Sequence, residues 1–132
     1  MQVLEQLVQP DSKLLDVGCG DGLVAREVAQ RRPDIQTVGI DVLVRTSARI
    51  PVSAFDGQHI PFPDGAFDSV MLIDVLHHTH DPKVLLAEAA RVARSELILK
   101  DHLRDGPLSG PILRFMDRVG NERHGVESVY NY

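Results

Sequence analysis

At 132 residues, 43% apolar and 25% charged, the chain has the length and composition of one soluble globular domain and is too short for two separate cores. A net charge of −5 argues against docking on nucleic acid or on anionic membranes, and no apolar run is long enough to span a bilayer. The single cysteine, Cys19, excludes an intrachain disulfide and fits a reducing, cytoplasmic setting, and the first residues do not read as a signal peptide.

Val3, Leu4, Leu7 and Val8 recur at helical spacing until Pro10, which predicts a short N-terminal helix. Residues 13–17 predict a first strand. It runs into Asp16-Val17-Gly18-Cys19-Gly20-Asp21-Gly22, a turn that glycines at alternate positions keep clear of side chains. Asp21 is placed to cap a helix over 22–32, closed by Pro33, with Arg31 and Arg32 complementing its dipole. A second strand, 36–40, ends at Asp41, and one or two helical turns are expected over 42–49. A third strand over 52–55 precedes Asp56-Gly57. Residues 60–67 form a loop punctuated by proline and glycine, and 67–73 predict a fourth strand. Asp81 at the N-cap and Pro82 behind it open a helix with Val84, Leu85, Ala89 and Val92 on one face. A fifth strand follows over 96–99. A further helix is expected over 111–119, with Phe115 and Met116 on its apolar face. Tyr130 and Tyr132 close a stretch without clear period.

Strands that alternate with helices imply right-handed crossovers and a parallel sheet covered on both faces. In such sheets the ligand lies beyond the carboxyl ends of the strands, near the point where strand order reverses. Residues 16–22, Asp41, Asp56, 73–78 and 100–102 fall at those ends. Gly18 and Gly20 would let a ligand touch backbone, and Gly22 would allow tight entry into the helix. Leu23 stands where a dinucleotide fingerprint needs glycine, and Asp16 would repel a pyrophosphate, so a cationic ligand fits better. Asp41 lies about 20 residues beyond the glycines, where a carboxylate accepts from a ribose diol. Asp56 suits either a nucleobase edge or an Asp-Gly turn. Cys19, between two glycines, reads as packed rather than reactive.

LLDVGCGDG at 14–22, VGID at 38–41, DGQHIPFPDGAFDSVMLIDVLHH at 56–78, HDP at 80–82 and LILKDH at 97–102 resemble the class I S-adenosylmethionine-dependent methyltransferases. The likeness is closest to the small-molecule group that includes the ubiquinone and menaquinone methyltransferases. It implies an α/β fold, a three-layer Rossmann-like sandwich with a mostly parallel sheet, forming one S-adenosylmethionine-binding domain over 1–132. By that resemblance Asp16, Gly18, Gly20 and Gly22 would surround the methionine part of the cofactor, with Cys19 counted among the cofactor-binding residues. Asp41 would hold the ribose hydroxyls, Val42 would pack on adenine, and Asp56 and Gly57 would meet its polar edge. The backbone near Ile73 would face the amino end. The implied activity is methyl transfer from S-adenosyl-L-methionine to a small-molecule acceptor, leaving S-adenosyl-L-homocysteine. A non-catalytic S-adenosylmethionine-binding protein or fragment is the alternative. An NAD-dependent oxidoreductase ranks third, because Leu23 and Asp16 oppose it.

The family sheet is usually seven-stranded with an antiparallel hairpin at its C-terminal end. About five strands are evident here, so the hairpin is expected to be lacking and 105–132 reads as atypical or truncated. The fifth strand would then keep an open edge, favouring a homodimer through that edge or a swapped C-terminal segment. Methyl transfer is an in-line displacement for which positioning supplies much of the acceleration. Where an acceptor must lose a proton, His77, His78, His80, His102, Asp74 and Asp101 are candidate bases, with His102 and His77 ranked first because strand ends face the crevice. The string from His77 to Asp81 does not converge ligands, so no metal is expected, and no nucleic acid or membrane partner either.

Overall fold

The computed structural model describes residues 2–100, 112–117 and 124–129, with residues 2–4, 77 and the last two segments described as backbone. A short helix α1 (Gln2–Leu7) leads to β1 (Lys13–Val17), α2 (Leu23–Arg31), β2 (Gln36–Asp41), β3 (Val52–Ala54) and β4 (Phe67–Ile73). A 3-10 turn (Leu76–His78), α3 (Pro82–Val92), β5 (Ala93–Lys100), β6 (Ile112–Asp117) and β7 (His124–Val129) follow. The strands form one sheet in the order β3-β2-β1-β4-β5-β6-β7. The five from β3 to β5 are parallel, as the long connections between them require, and β6 and β7 add antiparallel to β5.

Strand order reverses between β1 and β4, which opens a crevice at their carboxyl ends. Register then decides what enters it. Val17 pairs with Ile40 on one side and Leu72 on the other, so three strands end level. Gly18, Asp41 and the residues after Leu72 therefore emerge together at one rim.

Alternate strand residues feed two cores. Leu15, Val17, Ile40, Val70, Leu72, Leu97 and Leu99 pack with Leu85, Ala89 and Val92 of α3 on one face. Leu14, Met71 and Ile98 pack with Ala25 and Val28 of α2, and with Val8, on the other. Both faces are buried, which is why the strands read as continuous apolar runs. The α3 start is as expected: Asp81 accepts from the Val84 N–H at 3.3 Å and Pro82 occupies the first turn. Asp81→Ala should therefore cost about 1 kcal/mol, read as a lowered urea midpoint at unchanged slope. Among the described residues no helix is long and apolar enough to cross a membrane.

Several expectations are corrected. Residues 112–117, expected as helix, are strand β6, because a short apolar run suits either period and pairing with β5 decides. The C-terminal hairpin expected to be lacking is present as β6 and β7. The outer side of the fifth strand is thereby paired from Glu96 to Lys100, which removes the open edge on which dimerisation was expected. Residues 42–49 form turns and bends without a helical turn. Lastly, α2 begins at Leu23 with Gly22 at the N-cap. Asp21 reaches the Leu23 N–H at 3.1 Å from one position earlier, and its other oxygen holds Arg49 at 3.4 Å. Arg32 likewise serves a different helix from the one expected. Its guanidinium donates to the Glu5 and Val8 carbonyls at the end of α1 and pairs with Asp34 at 2.9 Å.

Candidate functional site

The glycine turn sits over the end of β2 because one carbonyl holds two of its amides. Gly18 N–H and Cys19 N–H both donate to the Ile40 oxygen, at 2.8 and 3.2 Å. Gly18 adopts φ +70°, and a Cβ there would lie 2.6 Å from Cγ2 of Val75. That position therefore excludes a side chain twice over, by backbone conformation and by contact. Gly20, at φ +61°, differs. Among the described residues a Cβ there meets nothing within 4 Å, so its backbone borders open space. Gly22 is buried at the start of α2 against Ile50.

Two carboxylates flank this turn. Asp16, one residue before the end of β1, is 3% exposed. Burial first, and the charge of Asp41 second, push its carboxyl up to about 8. Asp41 uses Oδ2 to accept from the Gly20 N–H at 2.7 Å and Oδ1 to accept from the Leu43 N–H at 3.3 Å. A buried acid beside a second acid is a place that a cation would relieve. Cys19 lies outside that chemistry: burial first, then the neighbouring acids, push its thiol up to about 12, and its sulfur packs against Gly39.

Beyond the turn lies a cavity of about 380 Å³, within the range of small-molecule sites. Gly18, Asp41 and Val42 form its floor. Phe55, Asp56, Gly57 and Gln58, after β3, form one wall. Asp74, Val75, His78, Thr79 and His80, between β4 and α3, form the other with Leu85. Of the residues expected from sequence, Gly18, Asp41, Val42, Asp56 and Gly57 meet at this cavity. Asp16, Cys19, Gly20 and Gly22 belong to the adjoining turn, and Ile73 packs against the core on the α2 side.

The turn reading of Asp56 is realised: its Oδ1 accepts from Gln58 N–H at 2.8 Å and His59 N–H at 2.7 Å. Those bonds, the one from His59 foremost, hold its carboxyl below the usual range. Asp74 turns the chain out of β4 at φ +57°, donating its N–H to the Lys100 carbonyl at 2.6 Å. His78 and His80 line the cavity. His77 lies in the 3-10 turn, with its side chain outside the described residues; His102, Asp101, Tyr130 and Tyr132 lie outside them altogether. Phe55, Gln58, Val75, Thr79 and Leu85 were not anticipated. Leu85 carried only the periodicity of a core residue, Phe55 was expected only as the end of a strand and Val75 only as part of the 73–78 strand end, and Gln58 and Thr79 lie in connections without a pattern. Among the described residues, no three His, Cys, Asp or Glu side chains are gathered as for a metal ion.

A family profile described as "methyltransferase domain" matches residues 15–99. The chain is similar to the 27-O-demethylrifamycin SV methyltransferase of Amycolatopsis mediterranei (strain S699), with 32% identity covering 69% of this chain and 39% of that protein. It is similar also to the sarcosine/dimethylglycine N-methyltransferase of Halorhodospira halochloris, with 30% identity covering 98% of this chain and 52% of that protein. Among solved structures, a SAM-dependent methyltransferase from Aquifex aeolicus matches with TM-score 0.67 and 25% identity, over 80% of this chain and 67% of that one. The chain thus spans 39% and 52% of the length of these two curated relatives.

Proposed function

The chain belongs to the methyltransferase-domain family, within the class I S-adenosylmethionine-dependent superfamily, and from that premise we propose that it binds S-adenosylmethionine and transfers the methyl group to a small-molecule acceptor. One observation carries the ligand assignment: a buried acid, Asp16, a second acid, Asp41, and the open backbone of Gly20 adjoin at the ends of β1 and β2. In S-adenosylmethionine the methyl sits on a sulfonium, so attack on that carbon breaks the S–CH3 bond and the neutral thioether is the leaving group. The residues present fit such a molecule. Asp16 favours its cationic end, with the Gly18–Gly22 turn bordering the methionine part. Asp41 accepts from the ribose diol, since the Gly20 N–H and Leu43 N–H leave lone pairs on both of its oxygens. Val42 offers an apolar surface to the base, and Asp56 and Gly57 stand at its polar edge. The backbone near Ile73 faces the amino end.

For the reaction, the site has to hold the sulfonium and the acceptor in line, and such positioning supplies much of the acceleration of an in-line displacement. Where the acceptor must lose a proton, His78 and His80 stand on the cavity wall, and His77 and His102 remain the bases proposed from sequence. Within the superfamily we place the chain in the small-molecule group that includes the ubiquinone and menaquinone methyltransferases, on the segment from Asp56 to His78. The names of the two curated relatives specify an oxygen and a nitrogen acceptor, so an acceptor panel should include both.

The test is calorimetry with S-adenosylhomocysteine, followed by a labelled-methyl assay over that panel. Asp41→Ala should weaken binding by about 1.5–3 kcal/mol through lost charge-assisted hydrogen bonds. An unchanged dissociation constant in that variant would remove the ribose assignment. Tight binding without turnover on any acceptor would favour the non-catalytic alternative.

A further inference from the structure

The segment 60–66, between β3 and β4, has no strand partner and no helix of its own, yet Ile60 is 2% exposed. Two of its amides bond within it, Phe62 N–H to the Ile60 carbonyl at 2.8 Å and Ala66 N–H to the Pro63 carbonyl at 3.2 Å, and other backbone groups find their partners on α3. Arg91 spends all five guanidinium N–H groups there. Nε donates to Glu88 Oε2 at 2.8 Å, Nη1 to the Phe62 carbonyl at 2.9 Å and Asp64 Oδ1 at 2.8 Å, and Nη2 to the Ile60 carbonyl at 2.8 Å and Glu88 Oε1 at 3.1 Å. Glu88 Oε1 also accepts from the Ile60 N–H at 2.9 Å, and Gly65 N–H donates to the Arg91 carbonyl at 2.9 Å. Four backbone groups of the segment are thus tied to α3.

The two bodies joined by this clamp run on into the two walls of the cavity. The segment continues backward into Phe55–Gln58, and α3 leads back through Leu85 to the His78–His80 connection. The wall at 55–58 is braced locally by the Asp56 turn, whose acceptor bonds go to Gln58 and His59. We propose that Arg91 and Glu88 are positioning residues: by fastening the 60–66 segment to α3 they set the separation between the Asp56–Gln58 wall and the Val75–Leu85 wall, and so the grip of the site on its ligand. The proposal rests on the methyltransferase reading for the identity of that ligand. Neither residue lines the cavity, and both act through the segment they hold.

The test compares Arg91→Lys, which keeps the charge and loses the planar fork, with the parent chain by amide hydrogen exchange and by S-adenosylhomocysteine binding. Exchange at the Gln58 and His59 amides should rise about tenfold while amides of the central strands β1 and β4 stay near their parent rates, because the loss is local rather than global. The dissociation constant should rise about fivefold or more in parallel, well below the melting temperature. Glu88→Gln retains an acceptor for the Ile60 N–H and serves the same comparison if Arg91→Lys does not fold. Parent-like exchange at Gln58 and His59, acceleration only in step with the central strands, or unchanged affinity despite faster exchange would each overturn the proposal. Failure of the parent chain itself to bind S-adenosylhomocysteine, with the selective exchange intact, would instead strike the methyltransferase reading and leave the wall-setting role standing.

Discussion

Asp16→Asn is expected to raise stability at pH 8 and, in the same protein, to weaken binding of S-adenosylhomocysteine. The sign follows from the direction of the shift. The folded carboxyl titrates near 8, well above its ordinary value, because burial and then Asp41 disfavour its charge. Between the two values the folded state holds a proton that the unfolded state has released, so stability falls as pH rises through that window. The slope contributed is about 1.4 kcal/mol per pH unit at most. Asparagine has no such titration. Urea midpoints of parent and variant, measured from pH 5 to 8, should therefore diverge, with the variant gaining as pH rises. Histidines common to both proteins cancel in that difference.

Binding should run the other way. A ligand with a cationic end favours the ionised carboxylate, so affinity of the parent should increase toward pH 8, by up to about tenfold per unit, with a proton released on binding. Calorimetry in two buffers of different ionisation enthalpy reads that proton directly. The Asp16→Asn variant should be weaker at pH 8 and flat with pH. Superimposable pH profiles for the two proteins, in stability and in affinity, would remove Asp16 from the site.

The second large effect concerns Gly18. Gly18→Ala should destabilise the chain by about 2–5 kcal/mol, from left-handed backbone strain plus overlap with the Val75 side chain. Gly20→Ala is the informative partner. It shares the positive φ but meets no described atom, so only about 1–2 kcal/mol of stability should be lost. Its methyl group would instead occupy the space assigned to the cofactor, and affinity should fall far more than stability. Thermal melts and cofactor titrations on the pair separate the two roles. A Gly20→Ala variant that binds like the parent would show that the open backbone is not the ligand's seat.

How legible the site was depended on whether a residue's role is local. The glycine turn could be read because each glycine answers to its own backbone. Asp41 could be read from the end of its strand, and register then brought it level with Gly18. Asp56 carried two readings. Its oxygen serves the 57–59 turn, and the residue also sits on the cavity wall. Leu85 could not be told from a core residue, since an apolar side chain at helical spacing looks the same under a cavity as under a sheet. Phe115 and Met116 were assigned to a helix because a short apolar run does not distinguish the two periods.

From its residues alone the chain determined the alternation of strands and helices, the bare turn after the first strand, the Asp81 cap and the acids at successive strand ends, because each depends on backbone conformation or hydrogen bonding within a few residues. Only the tertiary structure decided that β6 and β7 complete the sheet, that Arg32 caps α1, that Arg91 straps segment 60–66 to α3, and that Asp16 is buried beside Asp41. Each of those rests on partners that are distant in the chain, and a carboxylate's charge state or an arginine's acceptors are properties of neighbours that no local pattern names.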